Sequence, residues 1–352
     1  MPNRPSVTAF VLLFAALPAL LPAQGGRGRR QPEPPKLQHF TFEEGTLQSD
    51  KLRQEGAGYF AYLPKGHGDD TNKDRQYPWI LWLPGFGGPY DFQGRGGAEV
   101  LDRLRGEGKI PECALVVFKA PGRRPRTTYM NGEAAGDIED LIVGDLLTQL
   151  QQKYHLSDKR SERAVMGVSA GGFGALKIAM RHPQTFGAVA VHSAAILPAD
   201  PEELGGMTET VVLRALRGGL EKEFGTPIDK AKWAAQMPLG LVATKKSEDF
   251  AGLQVYFDAG TDDDYGFCEP NEKLDQAMTG KGLLHVFRKV EGGGHAWSSP
   301  TMRDNVAASL QFVGLALQGK NAVELTQAAK VAAEAAKDAA KSGEKKSDDG
   351  GR

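Results

Sequence analysis

The chain has 352 residues, with 43 lysines and arginines against 44 aspartates and glutamates, and a formal net charge of −1. This balance gives no electrostatic support for nucleic acid or an anionic membrane as the main partner. Hydrophobic residues make up 40% and charged residues 25%, an ordinary globular composition, and two cysteines are too few for a disulfide scaffold or a zinc knuckle. The composition therefore predicts a globular protein of enzyme size.

The first 23 residues have the layout of a secretory signal peptide. Arg4 and the amino terminus supply positive charge, residues 9–17 form an unbroken apolar run, and the small residue Ala23 precedes a polar segment. The run is shorter than the ~20 apolar residues that span a bilayer, although an uncleaved anchor is the alternative interpretation. We expect a secreted or periplasmic protein with no stable membrane anchor once residues 1–23 are removed.

Three further segments follow the signal peptide. Residues 24–36 are rich in glycine, arginine and proline, which indicates a flexible linker. Residues 37–319 carry the pattern of one α/β domain. Residues 320–352 contain alanines and alternating charges but few large side chains, so we expect a solvated tail, disordered or partly helical, with no residue that anchors it to a core.

The central domain alternates apolar strands with segments of helical periodicity. Helical spacing of apolar residues runs from Ile138 to Tyr154 and from Val306 to Leu317, and residues 200–250 are long enough to hold extra helices over the sheet edge. This alternation predicts a doubly wound, mostly parallel sheet with helices on both faces and reacting groups at the carboxyl ends of the strands. Six strands are predicted: Tyr77–Leu83, Cys113–Ala120, Arg163–Val168, Phe186–Val191, Leu253–Asp258 and His285–Val290.

A G-x-S-x-G motif lies between the third of these strands and a helix. It comprises residues 167–171, with Ser169 at its centre. In a nucleophile elbow the strand-to-helix turn is so tight that its neighbours need minimal side chains, and the serine hydroxyl projects above the sheet. The motif alone is weak because glycine and serine are common, but its position between strand and helix favours a nucleophile over a structural glycine-rich turn.

A serine nucleophile needs a base and an acid, which follow it in the order Ser, acid, His in this type of fold. His295 comes after three glycines that follow the last strand and is the predicted base. The acid lies in the loop after strand Leu253–Asp258, where three adjacent aspartates leave the choice open: Asp262, Asp263 and Asp264. Other histidines are weaker candidates: His192 comes before the acid and breaks the order, and His285 opens a strand at the wrong edge. His155 and His182 lie at predicted helix ends.

Two backbone amides are needed to stabilise the oxyanion of such a reaction. Ala170 directly follows the nucleophile and supplies one. The loop at residues 84–88, which follows a predicted strand, supplies the other, and Phe86 is the predicted donor. These glycines do not complete a dinucleotide or Walker pattern, so nucleotide binding is not expected.

Taken together, these motifs resemble the esterase D, feruloyl esterase and antigen 85 branch of the α/β-hydrolases. The resemblance rests on Tyr129-Met130-Asn131, on residues 136–140 and on residues 165–176, and it extends over residues 59–317. It implies an α/β-hydrolase fold and a serine esterase or acyltransferase without metal or other cofactor. Its acid motif, a glycine followed three residues later by aspartate, corresponds to Gly260 and Asp263.

This chain departs from the family pattern at two positions. Ala170 stands where many members have methionine, which implies a roomier acyl pocket, and Pro84 stands where relatives often have histidine, which leaves the geometry of the oxyanion hole less defined. Beside the site, Arg123 and Arg124 are candidates to bind an anionic substrate group, with a solvated basic loop as the alternative. Trp297 is a candidate to stack on a sugar or aromatic ring, with core packing as the alternative.

The sequence thus predicts an exported serine carboxylesterase in which Ser169 attacks, His295 transfers the proton and Asp263 orients His295. Small-molecule or polysaccharide-linked esters are the expected substrates, with feruloyl and acetyl esters of carbohydrates favoured by family analogy. An acyltransferase, a peptidase and a non-catalytic binding protein remain as alternatives. Cys113 and Cys268 are predicted to be unpaired thiols, because they belong at opposite ends of the sheet.

Overall fold

An eight-stranded sheet organises the chain. The computed structural model describes residues 33–122, 128–132, 136–206, 220, 223–296, 301 and 304–332. The sheet has the strand order β1-β2-β4-β3-β7-β8-β9-β10, in which β1, β2 and β4 pair antiparallel and the other neighbours pair parallel. Its strands, with the separate hairpin β5–β6, are β1 Phe40–Thr46, β2 Gly58–Pro64, β3 Trp79–Leu83, β4 Ala114–Lys119, β5 Asn131–Gly132, β6 Gly136–Asp137, β7 Arg163–Val168, β8 Ala188–His192, β9 Gln254–Gly260 and β10 His285–Val290.

The six predicted strands are present as β3, β4 and β7–β10, with ends that differ by up to two residues. The antiparallel pair β1–β2 was not predicted. Strand β1 is mostly exposed or half-buried and contains two adjacent glutamates, so it lacks the continuous apolar run of the central strands. Its Gly45 lies against the ring of Tyr59 on β2, where a Cβ would come within 2.2 Å of Tyr59 Cζ.

Helices cover both faces of the sheet, and their positions follow the apolar periodicity. The helix predicted from Ile138 to Tyr154 consists of two α-helices joined by a π-helical segment, Ile142–Leu146. Short 3₁₀ turns lie at Asp70–Asn72, Arg160–Glu162, Pro201–Gly206 and Ser247–Phe250. The α-helices are α1 Asp91–Gly94, α2 Gly97–Gly106, α3 Ile138–Leu141, α4 Leu147–Tyr154, α5 Ala170–Arg181, α6 Lys230–Ala234, α7 Pro238–Thr244, α8 Cys268–Gly280 and α9 Asn305–Leu317.

Alternate residues of each central strand face two separate cores. On β7, Val165 joins the core beneath α3–α5, whereas Ala164, Met166 and Val168 join the core beneath α2 and α9. Because the strand residues on both faces are buried, the parallel strands have continuous apolar sequences. The sheet is therefore a rigid platform for the loops at its carboxyl edge.

A third apolar cluster includes residues from the insert at 200–250, where helices α6 and α7 lie as predicted. This cluster, called the aromatic cluster below, contains buried Phe173, Phe224, Trp233 and Phe267, and Phe86 and Tyr265 pack against it half-exposed. Residues from the predicted oxyanion loop (residues 84–88), from helix α5 and from the predicted acid loop (residues 261–267) thus meet in one apolar group. It forms a wall beside the elbow.

The expectation that no residue after 319 anchors to a core is wrong for residues 322–332, which form a helix. Ala322 and Val323 are buried in the core beneath α2 and α9, and the Ala322 amide donates to Gln254 Oε1 at 2.5 Å. The two cysteines are unpaired, as predicted. Within the described residues, no helix has the length and apolar character that crossing a bilayer requires.

Candidate active site

Ser169 lies on the sharp turn between β7 and α5. Its φ of 56° and ψ of −120° fall outside the regions that L-residues ordinarily occupy, a conformation that costs about 1–3 kcal/mol. The Ser169 amide donates to the carbonyl of His192 at 2.9 Å. The Ser169 carbonyl accepts from the amides of Phe173 and Ala195, both at 3.0 Å. The surrounding backbone thus holds the strained turn in place.

Both glycines of the G-x-S-x-G motif are required by close backbone contacts. A Cβ on Gly167 would lie 2.4 Å from the carbonyl oxygen of Gly171, and a Cβ on Gly171 would lie 1.9 Å from the carbonyl oxygen of Leu83. The obstructing atoms are backbone atoms of the sheet and the elbow, so they have no freedom to move aside. The motif therefore has the local structure that a nucleophile elbow needs.

The loop at residues 84–88 reaches the elbow from the neighbouring strand β3. A Cβ on Gly85 would lie 3.1 Å from Ser169 Cβ, and the Gly88 amide closes a turn by donating to the Gly85 carbonyl at 3.1 Å. Phe86 follows Gly85 and packs against the aromatic cluster. Ala170 is the first residue of α5, at the end of the helix where amides carry partial positive charge.

The predicted acid and base are in direct contact. His295 Nδ1 and Asp263 Oδ2 are 2.8 Å apart, and Asp263 Oδ1 accepts from the Tyr265 amide at 2.9 Å. The Asp263 side chain is fully buried, whereas 16% of the His295 side chain is exposed. The rings of Tyr265 and Phe267 flank the imidazole, with centroids 4.5 and 5.8 Å away. A carboxylate at Nδ1 favours the tautomer with the proton there, which leaves Nε2 as the basic atom.

Only the middle of the three adjacent aspartates is buried, while Asp262 and Asp264 are exposed. The acid loop lies directly against the histidine loop, which is the segment from residue 291 to residue 296 that carries His295. The Asp262 amide donates to the Gly293 carbonyl at 2.8 Å. A Cβ on Gly260 would lie 2.0 Å from that same carbonyl oxygen, so glycine is needed for the two loops to approach. This contact gives a physical reason for a glycine three residues before Asp263.

Ser193, which the sequence analysis did not identify, connects the elbow to the histidine loop. It lies in the loop after β8, between His192 and Ala195. The His192 carbonyl accepts from the Ser169 amide, and the Ala195 amide donates to the Ser169 carbonyl. The hydroxyl of Ser193 accepts from the amide of Ala296, the residue after His295, at 2.9 Å. No pattern in the sequence signals this role, because the contact joins residues 103 positions apart.

The other histidines have partners away from the elbow. His192 and Asp258 are fully buried, and their nearest side-chain atoms are 2.8 Å apart. His285 contacts Asp275 at 2.8 Å, and His182 contacts Glu139 at 2.7 Å. His155 ends α4 in a left-handed conformation. The structure therefore brings His295, alone among these histidines, to the predicted acid.

A buried ion pair joins helices α5 and α3, and the sequence analysis did not predict it. Lys177 Nζ and Glu139 Oε2 are 2.8 Å apart, and both side chains are almost completely buried. Burial lowers the pKa of Lys177 to about 8, although Glu139 opposes this shift. Burial raises the pKa of Glu139, but the hydrogen bond from His182 and the charges of Lys177 and Arg181 outweigh it and lower that pKa to about 2. Both groups carry charge at neutral pH.

Residues 51–303 match the protein family described as "Putative esterase". The match covers more than half of the chain. This protein belongs to that esterase family. This membership confirms the resemblance found in the sequence, and the mostly parallel sheet with helices on both faces is the predicted α/β-hydrolase fold.

Three individual proteins are similar to this esterase. The endo-1,4-beta-xylanase/feruloyl esterase of Xylanibacter ruminicola is 25% identical over 154 residues, which are 42% of this chain and 21% of that protein. A solved ferulic acid esterase has 24% identity and a TM-score of 0.63 over 79% of this chain and 99% of its own. An S-formylglutathione hydrolase from Agrobacterium tumefaciens has 16% identity and a TM-score of 0.62 over 79% and 96%.

Some predicted site residues lie outside the described part of the esterase. These are Arg123, Arg124 and Trp297, so their proposed contacts with substrate stay predictions, as does the signal peptide at residues 1–23. Among the residues that the structure describes, no group of three or more histidine, cysteine, aspartate or glutamate side chains is arranged to hold a metal ion.

Proposed function

We propose that this esterase is an exported serine hydrolase that acts through Ser169, His295 and Asp263. The observation that supports it most is the strained backbone of Ser169 at the same sheet edge as the hydrogen-bonded pair His295–Asp263. Strain of this kind persists only where the surrounding structure enforces it, and it is frequent at catalytic residues. The family membership of the chain supplies the reaction class, ester hydrolysis.

In the proposed mechanism, Ser169 Oγ attacks the ester carbonyl while His295 Nε2 takes its proton. Asp263 keeps His295 in the required tautomer and stabilises the imidazolium that forms. The amides of Phe86 and Ala170 donate to the oxyanion of the tetrahedral intermediate. Collapse of that intermediate expels the alcohol, which receives the proton from His295 Nε2. Water, deprotonated by His295, then attacks the acyl-enzyme, releases the carboxylic acid and restores Ser169.

The proposed substrates are acyl esters of carbohydrates, with feruloyl and acetyl groups as the acyl part. Two observations favour this class: the similar proteins include a xylanase/feruloyl esterase and a ferulic acid esterase, and an aromatic cluster borders the elbow. Phe86 and Tyr265 of that cluster are half-exposed and offer apolar surface to an aromatic acyl chain.

Hydrolysis of methyl ferulate and p-nitrophenyl acetate by purified protein tests the proposal. We expect wild type to hydrolyse at least one ester, Ser169→Ala to be inactive, and the control variant Ser309→Ala to keep its activity, since Ser309 is a buried serine on helix α9. Addition of a sugar or alcohol acceptor distinguishes the acyltransferase alternative by the formation of a new ester. Activity that survives in Ser169→Ala would refute the proposed nucleophile.

Export is tested separately. Expression of the full chain in a bacterial host with a secretory pathway is expected to deliver protein outside the cytoplasm that begins at Gln24. A cytoplasmic protein that retains its first 23 residues would contradict the export part of the proposal and leave the catalytic part intact.

A further inference from the structure

Tyr129 is a buried tyrosine outside the proposed triad that contacts the loop of the oxyanion hole. Its phenolic hydroxyl donates to the Pro84 carbonyl at 2.6 Å, and its side chain is buried. Its φ of 58° lies in the left-handed region, which is uncommon for an aromatic residue. A strained, buried residue with a short hydrogen bond to a site loop indicates a functional constraint.

The hydrogen bond from Tyr129 fixes a peptide plane next to the proposed oxyanion donor. Peptide groups are planar, and in the trans form the carbonyl and the N–H point in opposite directions. The Pro84–Gly85 plane is oriented by Tyr129 at the Pro84 carbonyl, and the Gly85–Phe86 plane is oriented by the Gly88 amide at the Gly85 carbonyl. The direction of the Phe86 N–H thus depends on these two consecutive bonds.

Helix α5, which also carries the elbow, fixes Tyr129 from below. A Cβ on Gly174 would lie 2.5 Å from Tyr129 Cγ, so the glycine allows the ring to lie flat on the helix. One turn further, Lys177 Nζ donates to the Tyr129 carbonyl at 2.5 Å and to Glu139 at 2.8 Å. The buried ammonium therefore satisfies a carbonyl on a strained backbone, and Glu139 balances its charge.

We propose that Tyr129 is a positioning residue for the oxyanion hole and that the Lys177–Glu139 pair holds Tyr129 in place. This inference rests on the proposed function, because it assigns the Phe86 amide to the oxyanion. Consecutive hydrogen bonds connect helix α5 to the oxyanion loop: Lys177 on α5 donates to Glu139 and to the Tyr129 carbonyl, and the Tyr129 hydroxyl donates to the Pro84 carbonyl. The elbow and the oxyanion loop are then both fixed to helix α5, so the proposed nucleophile and the proposed oxyanion donor keep their relative positions.

The variant Tyr129→Phe tests the inference, because it removes the hydroxyl and keeps the ring on Gly174. We expect kcat for p-nitrophenyl acetate to fall by ~10- to 100-fold with KM nearly unchanged, since loss of a whole oxyanion donor costs ~100- to 1000-fold. The inhibition constant of phenylboronic acid, which forms a tetrahedral adduct on an active serine, should rise by a similar factor. The matched control is Tyr154→Phe, a buried hydroxyl that donates to Glu43 at 3.0 Å.

Two results would overturn the inference. One is a Tyr129→Phe enzyme with wild-type kcat and boronate inhibition. The other is a loss of kcat that only follows a lower melting temperature and a smaller fraction of active protein, because that pattern indicates a purely structural role. Wild type is first labelled with a fluorophosphonate probe. Absence of that label would refute the proposed function itself and is thereby distinguished from failure of the inference.

Discussion

Two histidine–aspartate pairs in this protein have the same geometry and different surroundings. In each pair the histidine Nδ1 and the aspartate Oδ2 are 2.8 Å apart. His192 and Asp258 are fully buried, and Ser309 Oγ lies 3.0 Å from His192 Nε2, which completes a second serine–histidine–aspartate group inside the core. His295 is partly exposed at the carboxyl edge of the sheet.

Three side chains in hydrogen-bond contact are therefore not sufficient for a hydrolytic site. Ser309 lies within helix α9 and is completely buried, so its hydroxyl has no access to a substrate. Ser169 instead lies on a strained turn at the carboxyl end of β7, and it is partly exposed. We therefore propose that His295 and Asp263 serve catalysis, and we expect His192 and Asp258 to hold β8, β9 and α9 together.

The largest expected effect is that of His295→Ala on catalysis. Removal of the base is expected to lower kcat by roughly 10 000-fold or more. The melting temperature should fall less than in His192→Ala, because His295 is partly exposed and the Asp263 carboxylate keeps the Tyr265 amide as a donor. Stopped or continuous ester assays together with thermal unfolding measure both quantities. Hydrolysis at near wild-type rate in this variant would contradict the assignment of the base.

His192→Ala is expected to give the opposite pattern. It leaves the buried Asp258 carboxylate without its histidine, and breaking a buried pair of this kind costs about 3–5 kcal/mol of unfolding free energy. The kcat per folded molecule should stay close to wild type. Urea unfolding and active-site titration separate the two effects. A large loss of kcat at unchanged stability would show that the buried pair takes part in catalysis.

Another histidine–carboxylate contact, between His182 and Glu139, predicts a dependence of stability on pH. The pKa of Glu139 is lowered from 4.5 to about 2, so the folded state releases the proton more readily than the unfolded state. Its contribution to stability, about 3 kcal/mol, is present above pH 4.5 and is lost as the pH falls toward 2.

The matching variant is Glu139→Gln, which keeps the shape and removes the charge. We expect it to be less stable than wild type at pH 7 and to lose this difference between pH 4.5 and 2. Unfolding curves of both proteins across that range provide the measurement. A constant difference at all pH values would mean that the Glu139 charge is not what stabilises the fold.

The smallest expected effect is that of Ser193→Ala. Ser193 follows His192 in the chain and accepts a hydrogen bond from the residue after His295. The change removes the acceptor for the Ala296 amide and should lower the free energy of unfolding by about 1–3 kcal/mol. We expect a modest decrease in kcat with little change in KM, because the residue next to His295 loses its support. Ser157→Ala, a buried hydroxyl that accepts from the Lys159 amide at 3.2 Å, is the control. An equal effect of both variants on kcat would contradict a link to His295.

The parts of the site that the sequence predicted are those with a local signal. Ser169 lies in a short motif between a strand and a helix, and His295 follows a glycine run after the last strand. The choice of Asp263 needed the family pattern, and burial of this aspartate between two exposed neighbours gives its physical reason. The central parallel strands were predictable because burial on both faces makes them continuously apolar.

The missed features depend on contacts between distant parts of the chain. Tyr129 and Pro84 are 45 positions apart, and Ser193 and Ala296 are 103 positions apart, so no local spacing reveals either hydrogen bond. Strand β1 was missed because its exposed face carries charge. The helix at residues 322–332 was not expected to reach the core, because only small apolar side chains, Ala322 and Val323, are buried there, and its hydrogen bonds to Gln254 and to the His285 carbonyl join distant parts of the chain.

The central claim is that the activated serine is the one on the elbow. The most direct measurement is to incubate the mature protein with a fluorophosphonate probe and locate the adduct by peptide mass spectrometry. The expected result is one adduct, on Ser169, which is absent in His295→Ala and present in His192→Ala. An adduct on Ser309, or no adduct on folded protein, would contradict it, and the second result would favour a non-catalytic binding protein on the hydrolase scaffold.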